Sequence, residues 1–149
     1  MKPGVDYIGV SVGVLVLNGK GEILLTKRGR RATNERGTWE IPGGKVMFGE
    51  ALIHAAEREI REEYGIEIDI FFQFPARDHF IPEEKQHWVP TCFLARLRKG
   101  QTPEIMEPDK CDAIGWFKHD DLPVPLSIIT ALDMDTYRKY LSHTDVNMV

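Results

Sequence analysis

The sequence predicts an α+β fold, an α/β/α sandwich formed as a single domain over residues 1–149. Three observations lead there. Runs rich in β-branched residues and bounded by turn residues recur along the chain and read as strands. The segment 50–64 carries helical periodicity, and a second helical stretch, 125–141, follows a proline-marked turn. Strands dominate, with one central and one terminal helix, and such elements bury their apolar faces by layering.

Val5 to Leu17 is the first expected strand. Asn18-Gly19-Lys20-Gly21 is a hairpin signal, and Glu22 to Lys27 is the returning strand. Gly29 to Gly37 is polar and basic and reads as a loop. Thr38 to Ile41 is a short strand stopped by Pro42-Gly43-Gly44. On the helix Glu50 to Tyr64, Leu52, Ile53, Ala56 and Ile60 form one apolar face, and Gly65 stands where a helix end takes a left-handed residue. Ile66 to Phe74, His87 to Leu97 and Cys111 to Lys118 read as further strands, and no element is expected between Phe74 and His87. Asp120 to Pro123 is a turn, and Pro125 to Leu141 the last helix.

Composition narrows the function. The 149 residues are 42% hydrophobic and 28% charged, and a chain of this size buries about two-thirds of its unfolded surface without needing disulfides or a structural metal. A formal net charge of −4 argues against a nucleic-acid partner, which calls for clustered Lys and Arg. The apolar run Ile8 to Leu17 is broken by Gly9, Ser11 and Gly13 and falls short of the ~20 residues that span a bilayer. With no apolar signal segment at Met1 to Asp6, a cytoplasmic protein without a membrane partner is expected. Cys92 and Cys111 have neither zinc nor redox spacing and are expected reduced.

The chemistry concentrates between Gly44 and Ile66. On one helix Glu59, Glu62 and Glu63 share a face, where like charges repel by ~0.2–0.5 kcal/mol per pair even when exposed. Arg58 and Arg61 offset part of that cost, and a hard cation would offset more. Mg²⁺, with Mn²⁺ as a substitute, suits a few carboxylates completed by water and phosphate oxygens. The five histidines are scattered, so no softer metal is indicated. Pro42-Gly43-Gly44 lets the backbone come close to a ligand. From charges alone such a helix reads as a solvated face laced with ion pairs. The fixed spacing decides otherwise, because the full pattern has a chance frequency on the order of 10⁻⁸ at ordinary residue usage.

That pattern, Gly44, Glu50, then Arg58-Glu59-Ile60-Arg61-Glu62-Glu63-Tyr64-Gly65-Ile66, resembles the Nudix box at every defined position. The lead-in Gly37 to Gly44 and the exit Trp116-Phe117 with Asp121-Leu122-Pro123 are similar to the family's too. The resemblance implies a sandwich with a mixed β-sheet, the box forming a loop–helix–loop, and Mg²⁺-dependent attack of water on a diphosphate. It implies Glu59 and Glu63 as metal ligands, Glu62 as a third ligand or a close partner of the ligands, and Gly43 joining through its carbonyl. It makes Gly44, Glu50, Arg58 and Gly65 structural residues of the box, with Glu50 and Arg58 as partners that tie its loop to its helix. Glu59 or Glu62 could take the proton from water. Glu107, in the irregular stretch 103–110, is the candidate base from outside the box, a plain loop carboxylate being the alternative.

The resemblance also implies that Lys27 or Arg28, ahead of a basic loop, contacts substrate phosphate, a plain solvated surface being the alternative, and that Glu40 lies near the substrate. Met106 to Cys111 with Trp116 resembles members that convert a nucleoside triphosphate to monophosphate and pyrophosphate, so the expected partner is a small nucleotide. ADP-ribose or another nucleoside diphosphate sugar is the rival, and a nucleotide-sensing module the third reading. Phe48, Phe80 and Trp88 are candidate stacking partners for a base, with ordinary packing as the alternative. A homodimer is compatible with the resemblance, although no residue demands one.

Overall fold

The computed structural model describes residues 1–147, with side chains through His143. In chain order it contains β1 (Gly9–Leu17), β2 (Ile23–Arg28), β3 (Trp39–Glu40), β4 (Gly43–Lys45), α1 (Leu52–Tyr64), β5 (Ile68–Gln73), β6 (His79–Ile81), a 3₁₀ turn (Pro82–Glu84), β7 (Gln86–Leu97), β8 (Cys111–Phe117) and α2 (Ile128–Asn147). The strands make one mixed sheet of order β3-β2-β1-β7-β5, with β4 also on β1, β6 on β7 and β8 on β2. β1 and β7 run parallel along the whole of β1, and the other named pairs are antiparallel.

The period of two in the strands sends alternate side chains to opposite faces. Val12, Val14, Val16, Leu24, Phe93 and Ala95 pack with Ala55, Ala56, Ile60 and Tyr64 of α1. Their neighbours Leu15, Ile23, Leu25, Cys92 and Leu94 pack with Met134 and Tyr137 of α2. Each fully buried Val, Leu, Ile, Phe or Met among them stabilises the fold by ~1.5–3 kcal/mol relative to exposure. The α/β/α sandwich follows, since each face of the sheet has its own helix.

Tertiary contacts move several expected boundaries. β1 starts at Gly9, not Val5, because the preceding residues close a turn (Gly4 N–H to Tyr7 O, 2.7 Å) and the Trp88 ring lies where side chains at Gly4 and Gly9 would be. Pro42-Gly43-Gly44 does not merely stop a strand. Gly43 to Lys45 pairs with Ser11 to Gly13 of β1, and the Val12 carbonyl sits where a Gly43 side chain would begin. On α1 the buried residues are Ala55, Ala56, Ile60 and Tyr64, whereas Ile53 is 40% exposed. The small alanines let the helix lie close on β1 and β4, which turns Ile53 outward.

The segment 125–127 is not helical as expected. Trp39 donates to the Pro125 carbonyl (2.8 Å) and Ser127 donates back to that of Trp39 (2.9 Å). The Ser127 hydroxyl then accepts from the Thr130 N–H (3.3 Å) and caps α2. β6 and its 3₁₀ turn were not legible in a stretch without alternation. Both cysteines are free and buried. No helix among the described residues is long and apolar enough to cross a membrane.

Candidate active site

A cavity of about 590 Å³ opens beside α1, lined by Glu59, Glu63 and Tyr64 of that helix, Thr26 and Arg28 of β2, and Gly43, Gly44 and Lys45 of β4. Arg31, Ala32, Glu40, Pro42, Glu107, Asp109, Lys110 and Cys111 complete its lining, and Arg31 pairs with Asp109 at 3.4 Å.

Two sets of hydrogen bonds place the glutamates. Toward the start of α1, Arg58, midway along the helix, reaches back and donates from Nε and Nη2 to Glu50 (2.6 and 3.0 Å) and from Nη2 to the Lys45 carbonyl (3.0 Å), and from Nη1 to Glu59 (3.0 Å) and Glu62 (3.3 Å). The planar guanidinium thereby ties the β4 strand and the loop after it to the helix. At its other end, Gly65 takes φ 66° and donates to the Arg61 carbonyl, the left-handed cap a glycine adopts without strain. The Glu63 and Tyr64 carbonyls, which a helix end leaves unpaired, accept from the N–H groups of Met106 (2.9 Å) and Glu104 (3.0 Å). Docking the 101–110 segment there brings Glu107 to Glu63.

The resulting charge arrangement is lopsided. Burial first, then the negative charge of Glu59, a Glu59–Glu63 hydrogen bond and the charge of Glu107 push the Glu63 carboxyl well above the carboxylate range. Lys110 Nζ lies 3.3 Å from Glu107. The Glu59 carboxylate occupies the space where a Gly44 side chain would begin. Oxygen donors, excess negative charge and a glycine cradle fit a hard divalent cation. Among the described residues, no three His, Cys, Asp or Glu side chains converge as a closed cage.

The residues singled out from sequence divide accordingly. Gly43, Gly44, Glu59, Glu63, Glu107, Arg28 and Glu40 line the cavity. Glu62 does not: its carboxylate is bonded to Arg58 and its side chain is 53% exposed. Lys27 is not on the wall either, because strand alternation gives the cavity its neighbours Thr26 and Arg28. Arg28 has less free charge than its position suggests. Its Nη1 holds both Glu40 oxygens (3.1 and 3.3 Å), and Nε and Nη2 hold Asn34 (3.0 and 2.8 Å). Of the stacking candidates, Phe48 is fully exposed and Phe80 60% exposed. Trp88 lines a neighbouring cavity. Sequence reasoning missed Lys45 and Lys110; the first adjoins the box glycine and the second follows Glu107 at helical spacing, the only local signals they carry.

The Glu50–Arg58 contact has a consequence for acid stability. Arg58's hydrogen bonds first, then the Met47 N–H, lower the Glu50 carboxyl from its ordinary 4.5 to about 2. A carboxyl lowered on folding stabilises the protein above its unfolded value and loses that contribution as pH falls through its folded one. Stability should therefore drop between pH ~4.5 and ~2. Glu50→Gln should flatten that limb in denaturant titrations; an unchanged slope would show that other carboxylates carry it.

Comparison with known proteins agrees with this architecture. The family model described as NUDIX domain matches residues 8–139. The 8-oxo-dGDP phosphatase NUDT18 of Mus musculus is 30% identical over 128 residues, covering 85% of this chain and 36% of that protein. The RNA pyrophosphohydrolase of Acinetobacter baylyi is 28% identical over 147 residues, covering 87% and 82%. The crystal structure of a MutT NUDIX hydrolase from Burkholderia pseudomallei superposes with a TM-score of 0.79 at 36% identity, covering 87% of this chain and 98% of that one. The chain thus spans 36–40% of the length of its NUDT18 relatives.

Proposed function

This chain belongs to the NUDIX domain family, and we propose that it is a Mg²⁺-dependent hydrolase of phosphoric anhydride bonds in small nucleotides. The substrate class we assign is a nucleoside or deoxynucleoside triphosphate, cut to monophosphate and pyrophosphate, with residues 1–149 acting as one catalytic unit. The observation that carries this reading is the Glu59–Glu63 carboxyl pair on the wall of a 590 Å³ cavity, with Glu59 set against Gly44 and held there by Arg58.

Glu59 and Glu63 would hold the cation, with Gly43 beside them; when bound it supplies Lewis-acid stabilisation of phosphate oxygens and a more acidic water. Glu107, which lines the same cavity, is the base we assign to the proton of the attacking water, supported by its pairing with Lys110 at 3.3 Å. Arg31, paired with Asp109, Lys110, paired with Glu107, and Lys45 bring positive charge to the same cavity, where substrate phosphates and the developing charge of the leaving group would lie. Arg28 acts chiefly through Glu40, which it holds in place. Glu62 braces Arg58 rather than serving as ligand or base.

A second reading, in which a nucleoside diphosphate is the substrate, draws on the likeness to an 8-oxo-dGDP phosphatase over 85% of the chain. A substrate panel separates them: nucleoside triphosphates and diphosphates, ADP-ribose and a 5′-triphosphorylated oligoribonucleotide, each with Mg²⁺ and with EDTA. Pyrophosphate with monophosphate is the expected product pair from triphosphates, and EDTA should stop the reaction. Orthophosphate from diphosphates alone, or cleavage of ADP-ribose alone, would overturn the substrate assignment. Full turnover in EDTA would overturn the metal.

A further inference from the structure

Arg28 reaches the wall of the catalytic cavity from the end of β2, and one residue of the loop that follows sets how its guanidinium is turned. Asn34 takes the whole Nε edge. Its main-chain carbonyl accepts from Nε at 3.0 Å and its Oδ1 from Nη2 at 2.8 Å. Glu40 takes Nη1 with both oxygens, at 3.1 and 3.3 Å. A guanidinium presents its N–H donors in one plane, two of them on Nη2. Among the described residues the second Nη2 hydrogen has no protein acceptor, and in that plane it points away from the Nε edge. Asn34 itself lines neither the catalytic cavity nor its neighbour, so it acts on the site only through Arg28.

The loop is built to hold Asn34 in that place. The next residue, Glu35, has φ 46°, a left-handed conformation that a residue with a Cβ keeps only where surrounding contacts fix it. Those contacts are present. The Glu35 carbonyl accepts from the Thr38 N–H (3.2 Å) and hydroxyl (2.7 Å), and its carboxylate accepts from the Ile128 N–H at the start of α2 (2.9 Å). Asn34 also donates from Nδ2 to Glu84 (3.4 Å), and the same Glu84 oxygen accepts from Gln86 (2.9 Å). The Asn34 amide is thus an acceptor toward Arg28 and a donor toward the 3₁₀ turn before β7, a division that an amide side chain alone provides.

An unrestrained arginine samples many rotamers, and ordering one such side chain at the moment of binding weakens affinity roughly 3- to 10-fold. A partner that orders it during folding removes that loss. We propose that Asn34 is a positioning residue: it locks the plane of Arg28, so that Glu40 stays paired and the free Nη2 hydrogen is kept for a phosphate oxygen of the bound molecule. The inference rests on the reading above in taking that molecule to carry the phosphates of a nucleotide.

The test begins without substrate. In the wild-type protein the Nη1 and Nη2 nitrogens of Arg28 should give separate NMR resonances, because a locked guanidinium does not rotate. They should merge in Asn34→Ala and stay apart in Asn34→Asp, which keeps the accepting oxygen. Merged resonances in the wild type would overturn the proposal. With Mg²⁺ and the nucleoside triphosphate that the wild type cleaves, Asn34→Ala should raise KM roughly 3- to 10-fold. Its kcat should stay within about twofold, because the contact is made equally before and during reaction. Asn34→Asp should recover most of the loss. In an Arg28→Lys background Asn34→Ala should add nothing, since lysine has no planar edge to hold. An unchanged KM beside merged resonances would overturn the proposal. So would a full Asn34→Ala effect in the Arg28→Lys background, the mark of a loop with a structural role alone. A wild type that cleaves no triphosphate would overturn the proposed reaction instead. Calorimetric titration of inorganic pyrophosphate with Mg²⁺ then decides for Asn34: weakening of roughly 3- to 10-fold in Asn34→Ala supports it, and equal affinity overturns it.

Discussion

Glu63→Gln should leave the metal-free protein as stable as the wild type while removing its turnover and its thermal response to Mg²⁺ together. The reason lies in the charge state of the pair. Burial and the adjacent Glu59 and Glu107 favour a protonated Glu63 when no cation is present, and glutamine imitates that neutral form, including its hydrogen bond to Glu59. A ligand that binds only the folded state stabilises it by mass action. Mg²⁺ should therefore raise the wild-type melting midpoint by roughly 5–10 °C at concentrations well above its dissociation constant and leave the variant unmoved. Turnover should fall at least ~10²–10³-fold, the scale of losing one preorganised electrostatic partner at a reacting centre. Near-normal turnover would remove Glu63 from the site, and a collapsed metal-free midpoint would make its role one of folding.

The paired glycines should separate function from fold. A Cβ at Gly44 overlaps the Glu59 carboxylate, the end of a side chain that can swing away at small cost. Gly44→Ala should thus melt within about 3 °C of the wild type but lose on the order of 10²-fold in turnover, since Glu59 no longer faces Glu63. A Cβ at Gly43 meets the Val12 carbonyl and the Gly13 Cα, backbone that cannot move without parting β4 from β1. Gly43→Ala should cost ~1–3 kcal/mol of stability as overpacking. Measuring melting midpoints and single-substrate rates for both variants is decisive: if Gly44→Ala unfolds and Gly43→Ala merely slows the reaction, the assignment of the two glycines is inverted.

Much of the fold was legible because its signals are local. The strands were read from their β-branched runs, and the period of two along Val12 to Val16 and Phe93 to Ala95 sends side chains to two faces, each occupied by one helix. Boundaries were less legible where a distant partner decides them. Ser127 begins α2 only after residues 125–127 have paired with Trp39, and Gly43 joins a strand only because β1 lies beside it. Ile53 fits a helical stripe on paper, yet the close seat that Ala55 and Ala56 allow turns it to solvent.

The same division holds at the candidate site. The carboxylate spacing of Glu59 and Glu63 and the glycines ahead of them were legible in the linear pattern, and the Glu50–Arg58 partnership came with the family resemblance. These depend on helix period and short loops, which a linear pattern encodes. Long-range packing settled that Arg58 engages Glu62, that Glu40 and Asn34 occupy Arg28, that Glu107 comes within electrostatic range of Glu63, and that Asp133 and Trp88 line one cavity. Each of those outcomes is a competition among partners brought together by long-range closure, and residue spacing alone carries no information about which partner wins.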